Sequence, residues 1–416
     1  MDENSSVESV AATQLPAQQA APKKITRLLL FGGLGIAVIA IIVLSVYYFS
    51  VSGNKKSAYQ DTVYKEYYQG NFAESAKQAK EGLKKSPDDP FLLKSVIDSN
   101  SSLGNQSGRE KELFEQSKPY IEHALKTQPN NAEILLSIGY AYETSGDYKQ
   151  ALNYYEKAIL LNDKSGVAHF HRGHALEFVE RKKEALTEYE KAYDLDPNNA
   201  QVLMGKARVA ASKNDLESSI AFFQKAAEAK DVSLQTKAEA LTGAALVKES
   251  QVIYMKEATG IAFNAVSADP HYSPALGVYG HLLSINGNPH DGMYYLNLAI
   301  KENPRIVVNY WHGGVVLRTA KDYNNAIKYL NAAIEKVPND NTLIDYNTKK
   351  RTIGLLYYDL ARTYAAENPT NPYIIQSLKN SLSSDPTLKE KIKNDNQKYN
   401  IFSGLTTNTE FSSLME

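Results

Sequence analysis

The chain has 416 residues, no cysteine, and a formal net charge of −1 from 46 basic and 47 acidic side chains. So even a balance gives no global field to draw nucleic acid or a strongly acidic substrate. The missing thiols exclude disulfide scaffolds, thiolate metal sites, cysteine nucleophiles and lipid attachment through cysteine.

Residues 1–22 are polar, rich in Ala and Gln, and too poor in apolar side chains to build a core, which predicts a disordered tail. Residues 25–51 read as a transmembrane helix. From Leu28 to Val51 the run is free of charge, and at about 1.5 Å per residue it would reach roughly 36 Å, against a bilayer core of about 30 Å. Tyr47, Tyr48 and Phe49 would fall at the headgroup interface. A cleaved signal peptide would have an apolar stretch of only about 7–15 residues ending in a small-x-small site. This run is longer and ends in Tyr-Tyr-Phe. Gly32, Gly33, Gly35 and Ala37 have the small-residue spacing that permits helix pairing, and so a possible homo-oligomer. Lys23, Lys24 and Arg27 before the run nearly balance Lys55, Lys56 and Lys65 after it. The amino terminus and Arg27 tip the count toward N-in. The expectation is a single-pass protein of the cell membrane with its large domain on the non-cytoplasmic side.

Beyond this segment the chain repeats itself with a period of about 34 residues. Gly139, Ala151, Tyr155 and Ala158 recur as Gly173, Ala185, Tyr189 and Ala192. Gly280, Gly292, Leu296, Ala299 and Pro304 recur as Gly314, Ala326, Leu330, Ala333 and Pro338. Each unit offers a helix, a tight turn, a second helix and a proline stop. The turns are Gly70-Asn71, Gly146-Asp147, Asn214-Asp215, Gly287-Asn288 and Lys321-Asp322. Their first residue suits the left-handed position and their second can cap the next helix. Tyrosine at a fixed place in the unit also accounts for 28 Tyr against one Trp.

Leu135, Ile138, Gly139, Tyr142, Gly146, Ala151, Tyr155 and Ala158 resemble the tetratricopeptide repeat (TPR). The resemblance implies an all-α, right-handed solenoid of tandem helix-turn-helix hairpins, here preceded by one transmembrane helix. Nine units are expected over residues 56–395, beginning near Lys56, Pro90, Ala132, Gly166, Ala200, Leu234, Ser273, Val307 and Asn341. Residues 396–416 are expected to form a C-terminal tail, loose from about Ile401.

By analogy with that family the first helices line a concave groove, and their second, fifth, sixth, ninth, twelfth and thirteenth positions face inward. This places Tyr140, Phe170, His171, His174, Met204, Arg208, His281, Trp311, His312 and Arg318 along or near the groove. Aromatic, Arg and His side chains of this kind suit an extended peptide or a partner helix; packing between units is the alternative role for each. The carboxylate clamp of one TPR subclass is missing, since Leu136, Tyr140, Gly205 and Gln201 stand at its places. His169, His171 and His174 form an H-x-H-x-x-H string, but on a helix only the last two share a face, so no metal site is expected. No phosphate loop, nucleophile elbow or H-E-x-x-H is found. The repeats leave no room for a catalytic domain. No enzyme activity and no cofactor are expected.

The function expected is a membrane-tethered scaffold that binds partner proteins, not nucleic acid, in envelope assembly, secretion or protein quality control. The alternative is a chaperone-like receptor for unfolded or newly translocated polypeptides, with Phe170, Met204 and Trp311 as its tolerant apolar surface. An accessory subunit that positions an enzyme acting on glycans or lipids is a third class.

Overall fold

Each 34-residue unit folds as a pair of antiparallel helices. The structure, a computed structural model, describes residues 58–230, 232–251, 254–340, 343 and 346–416. In chain order the first eight hairpins are α1 (Ala58–Tyr68) with α2 (Phe72–Leu83), α3 (Pro90–Ser107) with α4 (Glu110–Thr127), α5 (Ala132–Ser145) with α6 (Tyr148–Leu161), α7 (Gly166–Phe178) with α8 (Lys182–Leu195), α9 (Ala200–Ser212) with α10 (Leu216–Ala227), α11 (Leu234–Glu249) with α12 (Met255–Ala268), α13 (Ser273–Ile285) with α14 (Pro289–Glu302), and α15 (Val307–Thr319) with α16 (Tyr323–Lys336). A ninth pair, α17 (Tyr346–Glu367) and α18 (Tyr373–Ser384), is followed by α19 (Leu388–Tyr399) and α20 (Thr409–Met415). Helix succeeds helix, and first helices touch first helices of the neighbouring hairpins.

Local chemistry sets the boundaries. The residue between the paired helices is left-handed at Gly70, Gly146 and Gly287, and also at Glu180, Asn214 and Lys321. The residue after it caps the second helix: Asp147, Asp215, Asn288 and Asp322 each accept a hydrogen bond from the backbone N–H three residues on. Asn131, Ser165, Asn199 and Ser233 cap first helices in the same way.

The hairpins close around large-to-small contacts. Tyr155 and Tyr189 are fully buried, with Ala151, Ala158, Ala185 and Ala192 beside them. Gly139 is needed above Tyr155, because a Cβ there would stand 2.5 Å from the ring. These contacts run from hairpin to hairpin as separate apolar clusters, so stability here is a chain of nearest-neighbour interfaces.

Two expectations are corrected. Among the described residues no helix is long and apolar enough to cross a membrane. The longest, α17 at 22 residues, carries Lys349, Lys350, Arg351, Asp359 and Arg362. The fold class of the described residues is therefore an all-helical solenoid, and the expected transmembrane helix and single-pass cell-membrane location, with the repeats on the non-cytoplasmic side, are withdrawn. Residues 1–22 and 25–51, on which those readings rested, lie outside the described residues, as does Asn341, the expected start of the ninth unit. Second, the segment beyond Ile401 is not loose. Phe402, Leu405 and Phe411 are buried against Tyr358, Ile374, Leu378 and Leu388 and cover the last hairpin.

Candidate functional site

Two structural motifs recur on the first helices. Within a hairpin, the buried tyrosine of the second helix donates to a glutamate at the twelfth position of the first: Tyr155 Oη to Glu143 Oε2 at 2.7 Å, and Tyr189 Oη to Glu177 Oε2 at 2.9 Å. Between hairpins, the ninth position of the next unit reaches the same glutamate. His174 Nδ1 lies 3.0 Å from Glu143 Oε1, and Arg208 Nη1 donates to Glu177 Oε2 at 3.3 Å. The result is a ladder of acid–base pairs along one wall, each rung joining consecutive units.

Burial of Glu143 favours its neutral form, but the electrostatic pull and hydrogen bond of His174, with His171 close by, outweigh it and hold the carboxyl far below the usual range. His171 stacks beside Tyr155 and Tyr140, and Gln201 Nε2 approaches its Nε2 at 3.3 Å. Its Nδ1 is buried 3.7 Å from Glu143, beyond hydrogen-bond reach.

This wall encloses a cavity of about 590 Å³. Its lining comes mostly from α1, α3, α5, α7, α9 and α11, with Glu110 of α4, Tyr148 of α6 and Pro274 of α13, and is completed by loop residues including Tyr272, Asn303, Arg305 and Asp340. Five tyrosines line it, among them Tyr67, Tyr140 and Tyr272, each half-buried. Burial raises all three, Tyr67 to about 12, so they remain donors at neutral pH. Six carboxylates (Asp98, Glu110, Glu143, Glu177, Glu239, Asp340) and four cations (Lys94, Arg208, Lys230, Arg305) line it.

The cavity is enclosed because the solenoid returns on itself. Arg305, in the loop after α14, pairs with Glu110 at the start of α4 and donates to Gly108 O at 3.2 Å and Asn339 O at 2.6 Å. Asn303 Nδ2 donates to Asn105 O at 3.0 Å, across 198 residues of chain. That span is about six repeat units per turn. Gly108 has φ +70°, and a Cβ on it would stand 2.5 Å from Asn303 Oδ1, so glycine is required twice over.

The ten groove residues separate into three groups. Tyr140, His171, His174 and Arg208 line the cavity. Phe170 and Met204 are buried at 5% and 3% exposure in the core between α7, α8 and α9, and present almost no surface to a partner. The other four lie on α13 and α15, outside the cavity. His281 and His312 stack on each other at 3.8 Å between ring centroids, and His281 Nε2 lies 3.2 Å from Glu249. Burial, then the neighbouring His281, drive the His312 pKa well down. Trp311 Nε1 and Arg318 Nη1 both donate to Asp359 of α17, at 2.8 and 2.7 Å. Of the H-x-H-x-x-H string, His169 turns away to Glu188 of α8 at 2.7 Å while His171 and His174 face the cavity. Among the described residues no three potential ligand side chains converge on a metal position.

Stacked helical hairpins around a central lumen define a helical-repeat protein. Models described as tetratricopeptide repeat match residues 132–165 and 170–233, and the chain carries these repeats. Over 58 residues it is 36% identical to anaphase-promoting complex subunit 3 of Schizosaccharomyces pombe, a match covering 14% of this chain and 9% of that protein. Among solved structures, the APC/C hetero-tetramer Cut9–Hcn1 superposes with a TM-score of 0.59 at 15% identity, covering 82% of this chain and 58% of that one. Human IFIT1 bound to m7Gppp-AAAA, as a monomeric mutant, gives 0.54 at 15% identity over 91% and 88%. At these identities the likeness shows the fold alone.

Proposed function

We propose that this protein is a non-catalytic adaptor that holds an extended segment of a partner protein in its lumen. The observation that carries the reading is the cavity walled by successive first helices and lined by tyrosines and by acid–base pairs. Polar side chains next to rings suit the alternating donors and acceptors of an extended backbone.

Two competing readings lose support. A chaperone-like receptor needs a tolerant apolar surface, but Phe170 and Met204 are buried and Trp311 is tied to Asp359. RNA needs a basic lumen to neutralise phosphates, whereas carboxylates outnumber lysines and arginines six to four here.

The test is selection of a display library of unstructured peptides on the full chain, with the Tyr140→Ala/Tyr272→Ala variant as counter-target. Enriched peptides should bind the parent at least about tenfold tighter, equivalent to about 1.4 kcal/mol. Equal binding to both would place the site elsewhere and remove the lumen reading.

A further inference from the structure

The contact that closes the ring differs in kind from those that stack the hairpins. Neighbouring hairpins share apolar clusters such as Phe170, Tyr189, Leu203 and Phe223. The closing contact is polar: the Arg305–Glu110 ion pair, the Arg305 bond to Gly108 O, and the Asn303 bond to Asn105 O. Its groups are well buried, Glu110 at 7% and Asn303 at 3% exposure. Water can replace each of these bonds when the contact parts, while it cannot replace apolar burial. The ring is therefore built to open at this place before it opens anywhere else. An open population on the order of 0.1–10% is what a contact of this type allows.

Geometry gives the opening a use. A free chain end can thread a closed ring, but a segment flanked on both sides by folded domains cannot. We propose that the Arg305–Glu110 clasp is a side gate that opens to admit an internal, extended segment of a partner polypeptide and then closes around it. This rests on the lumen as the binding site, and it adds the route of entry and the class of segment taken.

The natural absence of cysteine makes a partner-free test direct. Gln235→Cys puts one thiol on the lumen wall. It is challenged with a maleimide fixed midway along an unstructured polypeptide, either with one end free or with a folded domain on each end. With the clasp intact, the doubly capped reagent should react at least about tenfold more slowly than the free-ended one. Arg305→Ala in the same background should abolish most of that difference, and Glu110→Gln should reduce it. Circular dichroism establishes that both variants stay helical, and Glu110→Gln keeps the test informative where Arg305→Ala does not fold. Equal rates for both reagents in the parent, or a difference unchanged in a folded clasp variant, would overturn the gate. Because no natural partner is used, either result leaves the peptide selection above as an independent test of the lumen.

Discussion

Lys321 and Glu180 hold a left-handed backbone, φ +65° and +60°, at the turn where sister units place glycine. For an ordinary L-residue that conformation costs roughly 1–2 kcal/mol, part of which glycine returns as unfolded-state entropy. Lys321→Gly should therefore raise stability by about 0.5–1 kcal/mol, read as a higher urea midpoint with an unchanged slope. Glu143 gives the opposite case. Its folded pKa is depressed, so its contribution is present above the unfolded value of 4.5 and is lost as pH falls below that toward the folded pKa. Glu143→Gln should cost about 2–3 kcal/mol at pH 7 by weakening the bonds to Tyr155 and His174. It should also flatten the decline of stability below about pH 4.5. A mutant whose acid limb superimposes on the parent's would show that the rung has no electrostatic role.

At the level of elements, Asp359 on α17 joins the eighth and ninth hairpins by taking Trp311 and Arg318 from α15 and Arg362 from its own helix. Asp359→Ala leaves Arg318, only 12% exposed, without its carboxylate, a loss of about 3–5 kcal/mol. Trp311 is the only tryptophan, so its fluorescence reports this junction. The fluorescence midpoint should fall further than the circular-dichroism midpoint, because the distant hairpins keep their own interfaces. Coincident shifts would mean the array unfolds as one block. This junction also shows why some groove residues were misplaced from sequence. Phe170, Met204 and Trp311 all occupy the fifth position of a first helix, which packs toward a neighbouring element. The sixth and ninth positions, held by His171, Tyr140, His174 and Arg208, face the lumen. Periodicity reveals which helix is inner, but a rotation of one residue on that helix moves a side chain from lumen to core. The acid–base ladder was legible in principle, since Glu143 and Tyr155 recur one period on as Glu177 and Tyr189. Asp359 was not, because the last unit departs from the repeat.

For the molecule as a whole, the decisive feature is the clasp, and periodicity carries no trace of it. Arg305 and Glu110 are 195 residues apart and belong to loop and helix-end positions that other units fill differently. Without the clasp the array would be quasi-one-dimensional, with each hairpin sensing only its neighbours. With it, the second hairpin depends on the seventh and eighth. Arg305→Ala removes the cation from a glutamate that burial already pushes toward neutrality, a push opposed by its own backbone N–H and by Arg305. The cost at α4 should be about 3–5 kcal/mol, offset in part as the parted surfaces take up water. Hydrogen exchange resolves where that cost is felt. Amides of α3 and α4 should exchange faster in Arg305→Ala, and those around Asn303 likewise, while α18 and α19, sealed by Phe402 and Phe411, should keep their protection. Faster exchange spread evenly over every hairpin would indicate a general loss of stability. No change at α3 and α4 would show that the two ends of the turn touch without being coupled.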